Sequence, residues 1–109
     1  MSRTSALCVL LLAAILEAGG DAIVRFGLHA SPGPTRVGLL GSGAIVLFSY
    51  GYLVNTPPWD FGRLLGIYVV FFFVVAQVIS WLAFHQAPTR PVYIGGAFIV
   101  LGGLILSVG

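Results

Sequence analysis

Charged side chains are scarce in this sequence, which contains no lysine, five arginines and three acidic residues. Charged residues make up 7% of the chain and hydrophobic residues 59%, whereas a typical soluble domain carries about 25% charged residues. Four membrane spans of roughly 20 residues each use nearly all of the 109 residues and leave no room for a soluble catalytic domain. We therefore expect a single all-α membrane domain, residues 1–109, and we do not expect an enzyme.

Cysteine and clusters of basic residues are also missing. The single cysteine, Cys8, lies in an apolar run, which excludes an intramolecular disulfide and a metal site made of cysteines. His29 and His85 lie at predicted helix boundaries, where an interfacial role is favoured over metal binding. The five arginines are scattered, which argues against nucleic acid as a partner. The sequence predicts no metal, no cofactor and no nucleic-acid partner.

Apolar runs separated by turn residues predict four transmembrane helices, at residues 6–28, 37–54, 64–84 and 92–108. We expect them to form a four-transmembrane-helix bundle. A secretory signal peptide is the competing interpretation of the first run, since Arg3 precedes an apolar core. It is disfavoured because three further spans follow.

The fourth predicted helix contains two glycine pairs seven residues apart, a spacing that places them on nearly one face. These residues are Gly95, Gly96, Gly102 and Gly103. Small residues let membrane helices approach closely, so this face is predicted to be a helix-to-helix seam and our candidate dimer interface. The residues alone leave open whether the seam lies within one chain or between two.

The arginines give little bias in orientation. Four spans place Arg3 and Arg63 on one side of the membrane and Arg36 and Arg90 on the other, with Arg25 near the boundary of that second side. Since cytoplasmic loops normally carry the excess of arginine, insertion in both orientations is compatible with this distribution. Such insertion permits an antiparallel dimer.

A carboxylic acid lies near the middle of the first helix. Burying an ionised Glu17 there costs about 2.5 kcal/mol or more. Asp21 and Arg25 follow at four-residue steps, so the three side chains share one face. Asp21 and Arg25 are the natural intrahelical pair, which leaves Glu17 without a local cation. Because two carboxylates one turn apart disfavour joint ionisation, we expect Glu17 to take up a proton readily; the alternative is a hydrogen-bonded structural residue.

Other polar and aromatic residues are weaker candidates. Gln77 is predicted either to hydrogen-bond across helices or to line a cavity, the first being favoured. Tyr50, Tyr52 and Tyr68 are compatible with a cation pocket or with ordinary packing.

Several segments together match the pattern of one family. Ser80–Gln86, Pro91 and Ile94–Gly95 follow its third helix end, short loop and fourth helix start, and Gly102–Leu106 is similar to its dimerising fourth helix. Glu17 stands where the family has its essential carboxylate. Arg25 and Phe26 stand where the family has a basic residue followed by an aromatic one, and Tyr68 stands where it has a substrate-stacking tryptophan. The sequence resembles the small multidrug resistance transporters, most closely their YnfA-like branch.

The resemblance implies a homodimer, commonly antiparallel, that exchanges protons for a cationic or hydrophobic small molecule across the cell (inner) membrane. The candidate proton- and substrate-binding residues are Glu17, Tyr68, Asp21, Arg25 and Gln77. The chain departs from the family pattern at Gly43, which replaces a tyrosine, at Val70 and Phe72, which replace a glycine-bearing hinge, and at the additional acid Asp21. The alternatives are an accessory subunit that docks a larger membrane protein and a flippase for a lipid-linked sugar.

Overall fold

The computed structural model describes residues 1–109 as four α-helices joined by short loops. The helices are α1 (Arg3–His29), α2 (Pro34–Val54), α3 (Phe61–Phe84) and α4 (Arg90–Val108). Each is long and apolar enough to cross a membrane. The prediction of an all-α protein with four membrane-spanning helices is confirmed.

Each helix begins two or three residues before its predicted start. The apolar runs mark where the chain becomes hydrophobic, whereas a helix begins at its first-turn residues. Ser2 caps α1, because its side chain accepts a hydrogen bond from the backbone N–H of Ser5 at 3.1 Å. Pro34 and Pro91 lie in the first turns of α2 and α4, where a proline removes no intrahelical hydrogen bond.

The helices form an open row in the order α2, α1, α3, α4. α1 packs against α2 and α3, whereas α4 packs against α3 alone. The molecule measures 49 × 34 × 19 Å, and its smallest dimension corresponds to about two helix diameters. The expected four-helix bundle is observed as an open row, in which α4 has a single neighbouring helix.

Small residues explain why α1 is a central helix of this row. Four of them recur at seven-residue steps and are buried: Ala6, Ala13, Gly20 and Gly27. Gly43 of α2 lies against this stripe: a Cβ added to it would stand 3.3 Å from the backbone oxygen of Gly20 and 2.6 Å from Cγ2 of Val24. The backbones of α1 and α2 therefore approach closely, as small residues allow in membranes.

Alternation of the four helices places both chain termini and the α2–α3 loop on one side, here called the terminal side. The other two loops define the loop side. A cluster of buried residues, the terminal-side core, fills the space between α1, α2 and α3 on the terminal side of Glu17. It consists of Leu10, Ala13, Ala14, Val54, Leu64, Ile67 and Tyr68.

Candidate functional site

Glu17 and Tyr68 meet at the loop-side edge of the terminal-side core. Glu17 lies one residue past the midpoint of α1 and is half-buried, while Tyr68 of α3 is only 4% exposed. The Tyr68 hydroxyl donates a hydrogen bond to Oε1 of Glu17 at 2.8 Å. A carboxyl group in an apolar helix thus obtains a polar partner, which offsets the cost of burying it.

Two further aromatic rings extend from Tyr68. Tyr50 of α2 stacks on Tyr68 with ring centroids 5.6 Å apart, and the ring centroid of Phe72 lies 6.3 Å from that of Tyr68. The sequence left Tyr50 open as a cation-pocket or a packing residue, and the structure stacks it on Tyr68. Tyr50 stands seven positions, or two helical turns, after Gly43, on the helix face that meets α1. Tyr52, by contrast, is 72% exposed and faces away from the site.

The predicted pair between Asp21 and Arg25 does not form, since no arginine nitrogen lies within 4.0 Å of a carboxylate oxygen. The Arg25 guanidinium instead lies over the ring of Phe84, 5.2 Å from its centroid, and Phe26 stacks on the same ring at 5.0 Å. A long arginine side chain near a helix end extends toward the membrane surface, and a cation over an aromatic face is favourable there. Asp21 is left exposed and unpaired.

An open groove, the loop-side groove, runs between α1 and α3 from the depth of Phe72 toward the loop side. Its volume is about 440 Å³. Its deeper walls are apolar, and its polar lining residues are Asp21, Arg25, His29, Ser80 and Gln86. Glu17 lies one helical turn, about 6 Å, deeper than Asp21. The groove reaches Ala18 and Phe72, the neighbours in sequence and in space of Glu17 and Tyr68, but these two residues do not themselves line it.

Gln77 is separated from the other predicted site residues. It lines a different groove of about 580 Å³, between α3 and α4, whose walls are almost entirely apolar. Gln77 follows Tyr68 by nine positions, which corresponds to two and a half turns of a helix with 3.6 residues per turn and therefore to about 180° around it. The two side chains consequently project from opposite faces of α3, and Gln77 does not contribute to the site around Glu17.

The four glycines of α4 divide into two pairs with different surroundings. A Cβ added to Gly96 would collide with Phe73, and one added to Gly103 would collide with Val70, so these two glycines pack on α3 within the chain. A Cβ added to Gly95 or Gly102 would meet nothing within 4 Å. Only the second pair leaves a close-approach surface for another molecule, which narrows the predicted dimer interface to Gly95 and Gly102.

Comparison with known proteins identifies a family. Residues 3–109 match the family model described as "Uncharacterised BCR, YnfA/UPF0060 family". Comparisons with curated proteins and with solved structures find no match. The family match covers nearly the whole chain and agrees with the resemblance seen in the sequence. This multi-pass membrane protein belongs to the YnfA/UPF0060 family, which is related to the small multidrug resistance transporters.

Proposed function

We propose that this protein is a proton-coupled transporter that exports a cationic or hydrophobic small molecule. The observation that carries the proposal is the hydrogen bond from Tyr68 to Glu17 near the centre of the membrane-spanning region. Ionisable residues at this depth generally belong to ion or substrate pathways. A carboxyl group held by one donor, with its other oxygen free of a protein partner, is suited to accept either a proton or a cation.

The loop-side groove brings such a ligand to Asp21 and Ala18, next to Glu17 on α1, and we propose that Glu17 becomes accessible from there. Its volume of about 440 Å³ falls within the range of small-molecule pockets, and its apolar walls favour a hydrophobic body. Asp21 carries an unpaired carboxylate one turn above Glu17, so a cation entering the groove meets two acidic groups in succession. The ring of Phe72 lines the groove and offers a face for a cation, while the buried Tyr68 ring beside it holds the Glu17 carboxyl group through its hydroxyl.

Coupling follows from competition at Glu17. A proton bound there removes the charge that attracts the cation, and a bound cation favours loss of the proton. Exchange across the membrane then requires two conformations that expose Glu17 to opposite sides. The conformation described here has its groove on the loop side, while the terminal-side core fills the space between α1, α2 and α3 on the other side of Glu17.

We further propose that the working unit is a homodimer in the cell membrane, with antiparallel subunits. Two features of the structure support binding of a second copy of this chain. α4 has one neighbour within the chain, and Gly95 and Gly102 leave a close-approach surface on its other face. The loop-side groove is open along its length, and a second chain would supply the missing wall and a second Glu17.

The test is transport by purified protein in liposomes. A pH gradient is imposed, organic cations are screened, and wild type is compared with Glu17→Gln. Asp60→Asn is the matched control, since it makes the same carboxyl-to-amide change at an exposed residue outside the membrane spans. We expect Glu17→Gln to abolish gradient-driven uptake and Asp60→Asn to retain it.

Proton release from detergent-solubilised protein gives a second measurement that needs no vesicle. Addition of a transported cation should release protons from wild type and from Asp60→Asn but not from Glu17→Gln. Equal transport by wild type and Glu17→Gln would refute the coupling role. Absence of any substrate-linked proton release, together with co-purification of a larger membrane protein, would favour an accessory subunit instead.

A further inference from the structure

A second polar cavity lies on the terminal side, at the opposite end of α3 from the mouth of the loop-side groove. It has a volume of about 200 Å³. We call it the arginine cavity, and its lining residues are Arg3, Leu7, Trp59, Arg63, Ile67 and Ser107. Residues from α1, α3, α4 and the α2–α3 loop therefore converge there, although they are distant in sequence.

The two arginines bind the carbonyl end of α4. Arg63 donates from Nε to the backbone oxygen of Leu106 and from Nη2 to that of Ser107, both at 3.0 Å. Arg3 donates from Nη2 to the same Ser107 oxygen at 3.5 Å. These three contacts use fewer than half of the N–H donors that two guanidinium groups carry. Both arginines remain exposed, so the other donors are accessible.

The positive charge in the arginine cavity exceeds what the protein neutralises. A helix C-terminus is equivalent to about half a negative charge, which offsets only part of the charge of two guanidinium groups. No carboxylate oxygen lies within 4.0 Å of either arginine. Asp60, the nearest acid in sequence to Arg63, is not among the residues that line the cavity. An anionic ligand would supply the missing charge.

The position of the cavity indicates which anion. Arg3 and Arg63 lie in the first turns of α1 and α3, at the level where lipid headgroups meet the ends of membrane-spanning helices. Trp59 lines the same cavity, and tryptophan side chains are enriched at this interface. Leu7 and Ile67 line its deeper part, so an acyl chain can continue into apolar surroundings below a bound phosphate.

We propose that the arginine cavity binds the phosphate of an anionic phospholipid headgroup, with Arg3 and Arg63 as its donors. Basic pockets between membrane-spanning helices bind such headgroups. Arg63 joins α3 to α4, and Arg3 joins α1 to α4, so a phosphate held by both arginines would also link α1, α3 and the end of α4.

The experiment uses Trp59 as a reporter of the lipid beside it. The chain has two tryptophans, and Trp81→Phe leaves only Trp59. This variant is reconstituted in vesicles that contain brominated phosphatidylglycerol or brominated phosphatidylcholine, because bromine quenches adjacent tryptophan fluorescence. We expect Trp59 to favour phosphatidylglycerol by roughly fivefold for each arginine that contributes. Trp59→Phe, which leaves the exposed Trp81 near the loop side, should show a smaller preference.

Arginine variants in the Trp81→Phe background test the donors. Arg3→Gln and Arg63→Gln should each lower the preference for phosphatidylglycerol about fivefold, and Arg36→Gln, which alters an arginine on the loop side, should leave it unchanged. Arg63→Gln removes two hydrogen bonds of 3.0 Å to the end of α4 and could loosen that helix. Arg3→Gln removes only one contact of 3.5 Å, so its effect on lipid preference reports on the ligand and not on the packing of α4. The proposal is overturned if Trp59 is quenched equally by both lipids, if neither cavity variant changes the preference, or if millimolar inorganic phosphate relieves the quenching.

Discussion

Replacing Gly43 by alanine tests the close approach of α1 and α2. The added Cβ would stand 2.6 Å from Cγ2 of Val24 and 3.3 Å from both the backbone oxygen of Gly20 and the backbone nitrogen of Val24. Two of these three neighbours are backbone atoms, which cannot rotate away as a flexible side chain does. The helices must therefore separate, and overpacking of this kind costs about 1–3 kcal/mol.

Gly41→Ala is the matched control. Gly41 lies in the same helix, is exposed, and would place its Cβ with nothing within 4 Å. Alanine gains about 1 kcal/mol over glycine in helix propensity, and this gain is common to both variants. The difference between them therefore isolates the packing contribution, and we expect Gly43→Ala to be less stable than Gly41→Ala by about 1–3 kcal/mol.

The measurement is the free energy of unfolding in mixed micelles, obtained by titration with a denaturing detergent and followed by circular dichroism. Equal changes in the two variants would refute the inferred contact between Gly43 and α1. A larger loss for Gly41→Ala would place the α1–α2 interface on the opposite face of α2.

The same titration checks three further predictions. Tyr68→Phe removes the hydroxyl that donates to the Glu17 carboxyl group and should lower the free energy of unfolding by about 0.5–1.5 kcal/mol, whereas Tyr50→Phe keeps the stacked ring and should change it little. Gly103→Ala should be less stable than Gly102→Ala, because only the former meets α3. Phe84→Leu removes the ring that lies beneath the Arg25 guanidinium and against Phe26 and should lower the free energy of unfolding by about 1–2.5 kcal/mol.

Much of the architecture could be predicted because the membrane constrains the sequence strongly. The number of helices follows from the apolar runs and their proline- and glycine-containing breaks. The candidate residues Glu17 and Tyr68 were identified separately from the sequence, and the structure joins them by a hydrogen bond. Gln77 was predicted as a site residue, but it does not lie near Glu17. Its offset of nine positions from Tyr68 corresponds to about 180° around α3, which already indicates that the two side chains lie on opposite faces.

The predictions that the structure corrects concern side chains whose positions depend on the neighbouring helix α3. The four-residue step from Asp21 to Arg25 describes only α1, whereas the position of Arg25 is set by Phe84 on α3. In the same way, the seven-residue repeat in α4 cannot distinguish Gly95 from Gly96, since each has a partner seven residues later and the two stripes lie about 100° apart around the helix. Which of the two packs within the chain depends on where α3 lies.

The terminal-side core has a consequence for the membrane voltage. In the conformation described here, the loop side contains a groove with a polar mouth, while apolar side chains fill the space between α1, α2 and α3 on the terminal side of Glu17. An electric potential falls mainly across the region of lowest dielectric constant, so most of the transmembrane field lies across the terminal-side core. Moving one charge through the full field requires about 2.3 kcal/mol per 100 mV. A charge that reaches Glu17 from the loop side has crossed little of that field, and the voltage acts chiefly on the later step that carries it past Leu10 and Leu64.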